Sequence, residues 1–239
     1  MIFDPSKPPL TDSAGLLKSV PVEAGPEIWK RATRVISSGL CDLQVNGFAG
    51  VDYNDPTLMP EEFEKSLFAM LRTGVTTCLP TVITGSEDWQ IQCFHALEAG
   101  RNASKLAQAM IPGYHLEGPF LNPEEGFCGC HPTKWMRPAT LDHFERLQEA
   151  AGGRITLVTV APEIKGVLDL IPKWVEKGIA VAIGHCNPDR DTLLRAADAG
   201  VTLSTHLGNG IAQILPKKDN PILGQLAEDR FSASFIADG

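Results

Sequence analysis

From Leu40 onward, short β-branched apolar runs alternate with stretches whose apolar residues recur at helical spacing. Seven runs read as strands: Leu40–Val45, Thr76–Val82, Gly113–Leu116, Ile155–Val160, Ala180–Ile183, Thr202–Thr205 and Ala233–Ala237. Between them, Phe63–Arg72 sets Phe63, Leu67, Met70 and Leu71 on one face, and Leu141–Ala150 gathers Leu141, Phe144, Leu147 and Gln148 near one seam. Val167–Lys177 and Asp191–Ala199 keep the same period, and the latter runs into Gly200, a residue suited to ending a helix in the left-handed conformation. Strand and helix alternating about every 30 residues is the pattern of βα units on a parallel sheet.

Seven such repeats fit a TIM-type (β/α)8 barrel better than an open doubly wound sheet. No G-x-G-x-x-G follows an early strand, which removes the usual sign of a dinucleotide fold. The sequence stops at Ile236-Ala237-Asp238-Gly239, where the seventh strand closes, so a barrel truncated after strand seven is expected. The chain then divides into an irregular segment over residues 1–38, interrupted by Pro5, Pro8, Pro9, Pro21 and Pro26, and a barrel over 39–239 without strand eight.

Composition narrows the function classes. Apolar content of 43% and charged content of 21% are ordinary for a globular protein. The net charge of −8, with Lys and Arg scattered, offers no surface for nucleic acid or for an anionic membrane. No apolar stretch reaches the length of a bilayer span, and Met1–Leu10 lacks the basic start and apolar core of a signal peptide. A cytoplasmic protein with reduced thiols is the expectation. The one close cysteine pair, Cys128 and Cys130, is not a C-x-x-C motif.

In a (β/α)8 barrel the chemistry sits at the C-terminal ends of the strands. Glu117, His185 and His206 fall at such ends on three different strands. One carboxylate and two imidazoles leave an open position on a metal ion, the donor set of catalytic zinc centres, and they also suit iron, cobalt or manganese. Taken singly, each has a plainer structural reading as a hydrogen-bonded strand-end residue. By the period of two, His115 shares the face of Glu117, as a supporting group, a substrate contact or a structural residue.

The segments His115-Leu-Glu117-Gly-Pro-Phe120 and Gly129-Cys130-His131-Pro132 resemble the long loop after strand three of N-acetylglucosamine-6-phosphate deacetylases, a branch of the amidohydrolase superfamily. Asp42-Leu-Gln-Val-Asn-Gly-Phe-Ala-Gly50, Thr73-Gly-Val-Thr-Thr77, Ala161-Pro162-Glu163, Gly184-His185 and Thr205-His206-Leu207 are similar to that family in the same order. The resemblance implies that Glu117, His185 and His206 hold one divalent metal ion, zinc first. It implies that His131 helps polarise an acetamide carbonyl, that Cys130 contacts the sugar through its backbone, and that Asn209 and Gly210 hold the substrate. It further implies an amino-sugar phosphate substrate and a homodimer. Gln44 and Asn46 stand where many amidohydrolases carry His-x-His, which implies a single metal.

Three departures accompany the resemblance. The family's acid/base aspartate lies on strand eight, beyond Gly239, and Asp238 does not take its place. A phosphate-contacting histidine of the family also lies beyond the end. The cation expected eleven positions after His206 is Lys217, which binds phosphate as a point charge without arginine's fork. Two other readings stay open: an amidohydrolase acting on another N-acyl or cyclic amide, and a non-catalytic metal- or ligand-binding relative.

Overall fold

The computed structural model describes residues 38–236. The reading of an irregular N-terminal segment and the end of the seventh strand at Asp238 lie outside them.

The elements are β1 (Leu40–Val45), β2 (Gly47–Phe48), β3 (Val51–Asp52), α1 (Pro60–Leu71), β4 (Val75–Val82), α2 (Glu87–Ala103), α3 (Lys105–Met110) and β5 (Tyr114–Glu117). A 3-10 turn at Thr133–Trp135 follows, then α4 (Leu141–Ala150), β6 (Ile155–Val160), α5 (Val167–Glu176), β7 (Ala180–Ile183), α6 (Arg190–Ala199), β8 (Leu203–Ser204), α7 (Pro221–Leu226) and β9 (Ser232–Ala233). One sheet runs β1-β4-β5-β6-β7-β8-β9, and every pairing from β4 to β9 is parallel. Strands neighbouring in sequence order with helices between them are the order of a (β/α)8 barrel, of which seven strands lie among the described residues.

Local chemistry sets the helix ends. Ser86, Thr140 and Asp189 each accept a hydrogen bond from the backbone N–H three residues on, capping α2, α4 and α6. Pro60 occupies the first turn of α1, where its missing N–H costs nothing. Gly200 ends α6 at φ 117°, as its position in the sequence indicated.

Two apolar layers hold the sheet. Outside, the helices bury Phe63 and Leu67 of α1, Phe94 and Leu97 of α2, Phe144 of α4 and Trp174 of α5 against the strands. Inside, Leu79, Leu157 and Ala182 pack with Leu203 at the lower end of the barrel. Two residues further along β4 and β6 the interior turns polar. His115 lies between Thr81 and Thr159, and Thr159 in turn bonds Thr205.

Several expectations shift. β5 ends at Glu117 itself rather than at Leu116. In α4 the buried seam is His143, Phe144, Leu147 and Ala150, while Leu141 and Gln148 are only half-buried. The helices α2, α3 and α7 and the small hairpin β2–β3 were not anticipated. The buried face of α2 includes Gln90 and Gly100, which dilute its apolar period. The last two strands are two residues each, and just after β8 the chain takes a left-handed conformation at His206, φ 31°.

Candidate metal centre

Glu117, the last residue of β5, stands 1% exposed at the mouth of the barrel. His185 follows β7 and His206 follows β8, and both imidazoles turn toward it. The Nε2 atom of His206 lies 2.9 Å from Glu117 Oε1, and that of His185 lies 3.4 Å from the same oxygen. One ligand atom from each of the three residues falls within 4.8 Å of the other two. All three are buried, which strengthens their electrostatics and excludes competing water.

The surroundings settle which nitrogen of His185 faces the carboxylate. Its Nδ1 sits 2.9 Å from the backbone carbonyl of Phe127, and a carbonyl can only accept. Nδ1 therefore carries a proton, and Nε2 is the nitrogen that faces Glu117. With Nδ1 engaged by a backbone carbonyl, Nε2 is the atom that His185 can offer a metal ion beside the carboxylate. The donor chemistry of the cluster thus fits a divalent metal.

Backbone and neighbours hold the two histidines in place. His185 has φ 50° and His206 φ 31°, both left-handed conformations that ordinary side chains avoid. His206 donates its backbone N–H to Ser234 Oγ, and Asn122 donates its own to the carbonyl of His185. Gly210 lies against the ring of His185: a Cβ there would come within 2.5 Å of Cε1 and Nδ1. Gln44 donates its side-chain N–H to Glu117 Oε2 at 2.8 Å. It was read only as a poor ligand, yet it orients the acid.

Burial alone would raise the Glu117 carboxyl, but hydrogen bonds from His185 and His206 outweigh it and hold the group well below the usual carboxylate range. His131 is 3% exposed, with Nε2 3.6 Å from Glu117 Oε2. Its Nδ1 accepts from the backbone N–H of Thr84 at 3.4 Å and also faces the Thr84 hydroxyl at 2.9 Å. The ring proton therefore sits on Nε2, facing into the site. Burial pushes His131 down to about 4 despite the neighbouring Glu117.

His115 is structural in this arrangement, wedged between Thr81 and Thr159 with its pKa pushed down to about 4 by burial. A depressed histidine contributes stability that is complete above its unfolded value near 6.5 and is lost as pH falls toward 4. The fully buried shift corresponds to about 3 kcal/mol. The Cε1 proton of His115 should titrate near pH 4 by NMR, with melting temperature falling across that window. A midpoint near 6.5 would show that the ring is not held in this network.

Of the expected substrate contacts, Cys130 is exposed next to His131. Asn209 is exposed and lines a hollow with Gly184, His185 and Thr205, and Gly210 abuts His185 as described. Lys217 is exposed and lies elsewhere. It lines a cavity of about 230 Å³ with Asp189, Arg190 and Asp219, which Asn209 does not border. Thr84, Asn122 and the Phe127 carbonyl were not picked out from the sequence. A backbone carbonyl leaves no trace there.

No family model matches the chain. It is 31% identical over 222 residues to N-acetylglucosamine-6-phosphate deacetylase of Bacillus subtilis, covering 89% of this chain and 53% of that protein. It is 32% identical over 213 residues to N-acetylgalactosamine-6-phosphate deacetylase of Shewanella sp., covering 88% and 52%. Among solved structures it is similar to a mutant N-acetyl-D-glucosamine-6-phosphate deacetylase from Mycobacterium smegmatis in complex with N-acetyl-D-glucosamine-6-phosphate. The TM-score is 0.72 at 29% identity, covering 83% of this chain and 50% of that one. The chain spans about half the length of the curated relatives it matches. No helix among the described residues is long and apolar enough to cross a membrane.

Proposed function

We propose that this chain, a homologue of N-acetylglucosamine-6-phosphate deacetylases over most of its length, carries the metal centre of a hydrolase that removes the acetyl group from an N-acetylated hexosamine 6-phosphate. The products are the amine and acetate. The observation that carries this reading is the convergence of Glu117, His185 and His206 at the mouth of the barrel, with His185 held at Nδ1 by the Phe127 carbonyl so that Nε2 faces the carboxylate.

Glu117, His185 and His206 are the ligands in this reading, and zinc is the metal their donor set suits best. The bound metal supplies Lewis acidity and makes water nucleophilic at neutral pH. Gln44 keeps Glu117 turned toward the two imidazoles. His131 presents its Nε2 proton where negative charge builds on the acetamide oxygen, and being neutral it donates without charge repulsion toward the ligands. Asn209 lines the hollow beside His185, Gly210 abuts the His185 ring, and Cys130 immediately precedes His131; these are the proposed substrate contacts.

Glucosamine and galactosamine derivatives both remain within the proposed class, because relatives named for each match this chain equally well. The test is acetate release from N-acetylglucosamine 6-phosphate and its galactose epimer by the zinc-supplied chain. Turnover of either is the expected result. Release from a non-phosphorylated N-acyl compound alone would overturn the sugar-phosphate reading in favour of another amidohydrolase substrate.

A further inference from the structure

The segment Ala161-Pro162-Glu163 follows β6, and neither the metal set nor the substrate hollow uses it. Glu163 nevertheless ties three strand ends together. Its Oε1 accepts from the Asn122 side-chain N–H at 2.9 Å and from the backbone N–H of Asn187 at 2.5 Å. Asn122 lies on the loop after β5, and Asn187 lies two residues beyond His185 on the loop after β7. Asn122 is 5% exposed, and its own backbone N–H donates to the His185 carbonyl at 3.0 Å. Its Oδ1 accepts from the backbone N–H of Glu124 at 2.8 Å, fixing the start of the turn that leads to Phe127. The Phe127 carbonyl then takes the proton of His185 Nδ1.

His185 is thus held on both sides. Asn122 and Phe127 grip it from the β5 loop, and Asn187 anchors the chain that leaves it. Glu163 Oε1 is the single acceptor common to both grips. A histidine at φ 50° needs such external support, since the left-handed conformation is unfavourable unless its surroundings over-determine it.

We infer that Glu163, acting through Asn122 and Asn187, is a positioning residue that sets the backbone and ring orientation of His185 for metal binding. The inference rests on the metal reading above. What matters in Glu163 is an acceptor at Oε1 rather than a charge, because Oε2 has no hydrogen-bond partner among the described residues. Glutamine offers the same acceptor, and its amide nitrogen replaces only the unpartnered oxygen.

The experiment measures zinc affinity of the 239-residue chain by competition with a chromogenic chelator, alongside the cobalt d–d spectrum. Glu163→Ala should weaken zinc at least about tenfold, the lower end of the effect that outer partners have on metal sites, and should alter the cobalt spectrum. Glu163→Gln should stay within about threefold of the unsubstituted chain and keep its spectrum. Asn122→Ala should fall toward the Glu163→Ala value, and the double variant should be no weaker than the worse single one, as two members of one unit behave. Binding by Glu163→Ala within about threefold of the unsubstituted chain would overturn the inference. So would a Glu163→Gln variant as impaired as the alanine one, or losses that multiply in the double variant. If Glu163→Ala does not fold, Glu163→Gln and Asn122→Ala decide by the same criteria. An unsubstituted chain that binds no zinc would sink the metal reading and this inference together. Tight binding by that chain and by every variant would sink this inference alone.

Discussion

Replacing His206 with alanine should leave a folded chain that no longer retains zinc, with affinity falling by more than about a hundredfold. That figure is the upper end of the effect expected from outer partners, and a direct ligand contributes more. The Nε2 atom of His206 is the nearer of the two imidazole donors to Glu117, at 2.9 Å. Removing it leaves two ligands, and a two-ligand site does not compete with water for a divalent ion at neutral pH. The alanine variant also leaves a buried carboxylate short of one donor, which costs stability for a separate reason. His206→Gln distinguishes the two effects: its side-chain amide can still donate toward Glu117, and its neutral amide is a poor metal ligand. Both variants should therefore lose the metal, and the glutamine one should melt closer to the unsubstituted chain. Elemental analysis showing about one zinc per chain in both variants would remove His206 from the ligand set. His185→Ala should behave in the same way, since its Nε2 faces the same carboxylate oxygen.

The route from sequence to this site was short where periodicity carried it. Strands β1, β6 and β7 and helix α4 lie at the expected residues, because each is an alternating or β-branched apolar run of strand length or a helical stripe. Placing polar residues at strand ends was then enough to bring Glu117, His185 and His206 together, since a parallel barrel gathers every strand's C-terminal end at one mouth. What lay out of reach was contact between loops. Glu163 was visible as part of a motif, yet its bonds to Asn122 and Asn187 exist only where the ends of β5, β6 and β7 meet. Gln44 was judged by its inability to ligate a metal, which hid its hydrogen bond to Glu117. Lys217 was placed by counting from His206, and the cavity it lines with Asp189 and Arg190 is likewise a meeting of loops. Helix α2 was overlooked because its buried face includes Gln90, whose side chain donates to the Ile83 carbonyl instead of packing as an apolar residue would.

His131 should separate metal binding from chemistry. It approaches Glu117 Oε2 no closer than 3.6 Å, and its Nδ1 is engaged by Thr84, so it stands beside the ligand set rather than within it. Replacing it with leucine, of similar bulk but without a donor, should leave zinc affinity within about threefold while lowering kcat for acetate release by about 10²–10³-fold. That is the range seen when one donor to a developing oxyanion is removed. KM should change far less, because the donor's interaction strengthens only as charge develops on the acetamide oxygen. His131→Asn can offer a shorter N–H and should recover part of the rate if that N–H reaches the same oxygen. Zinc loss as large as in His206→Ala would make His131 a ligand instead, and an unchanged kcat would remove it from the reaction. The expected pairing, metal kept and turnover lost, follows from its tautomer: Thr84 fills the lone pair at Nδ1, so the ring's one free function is the proton it holds toward the substrate.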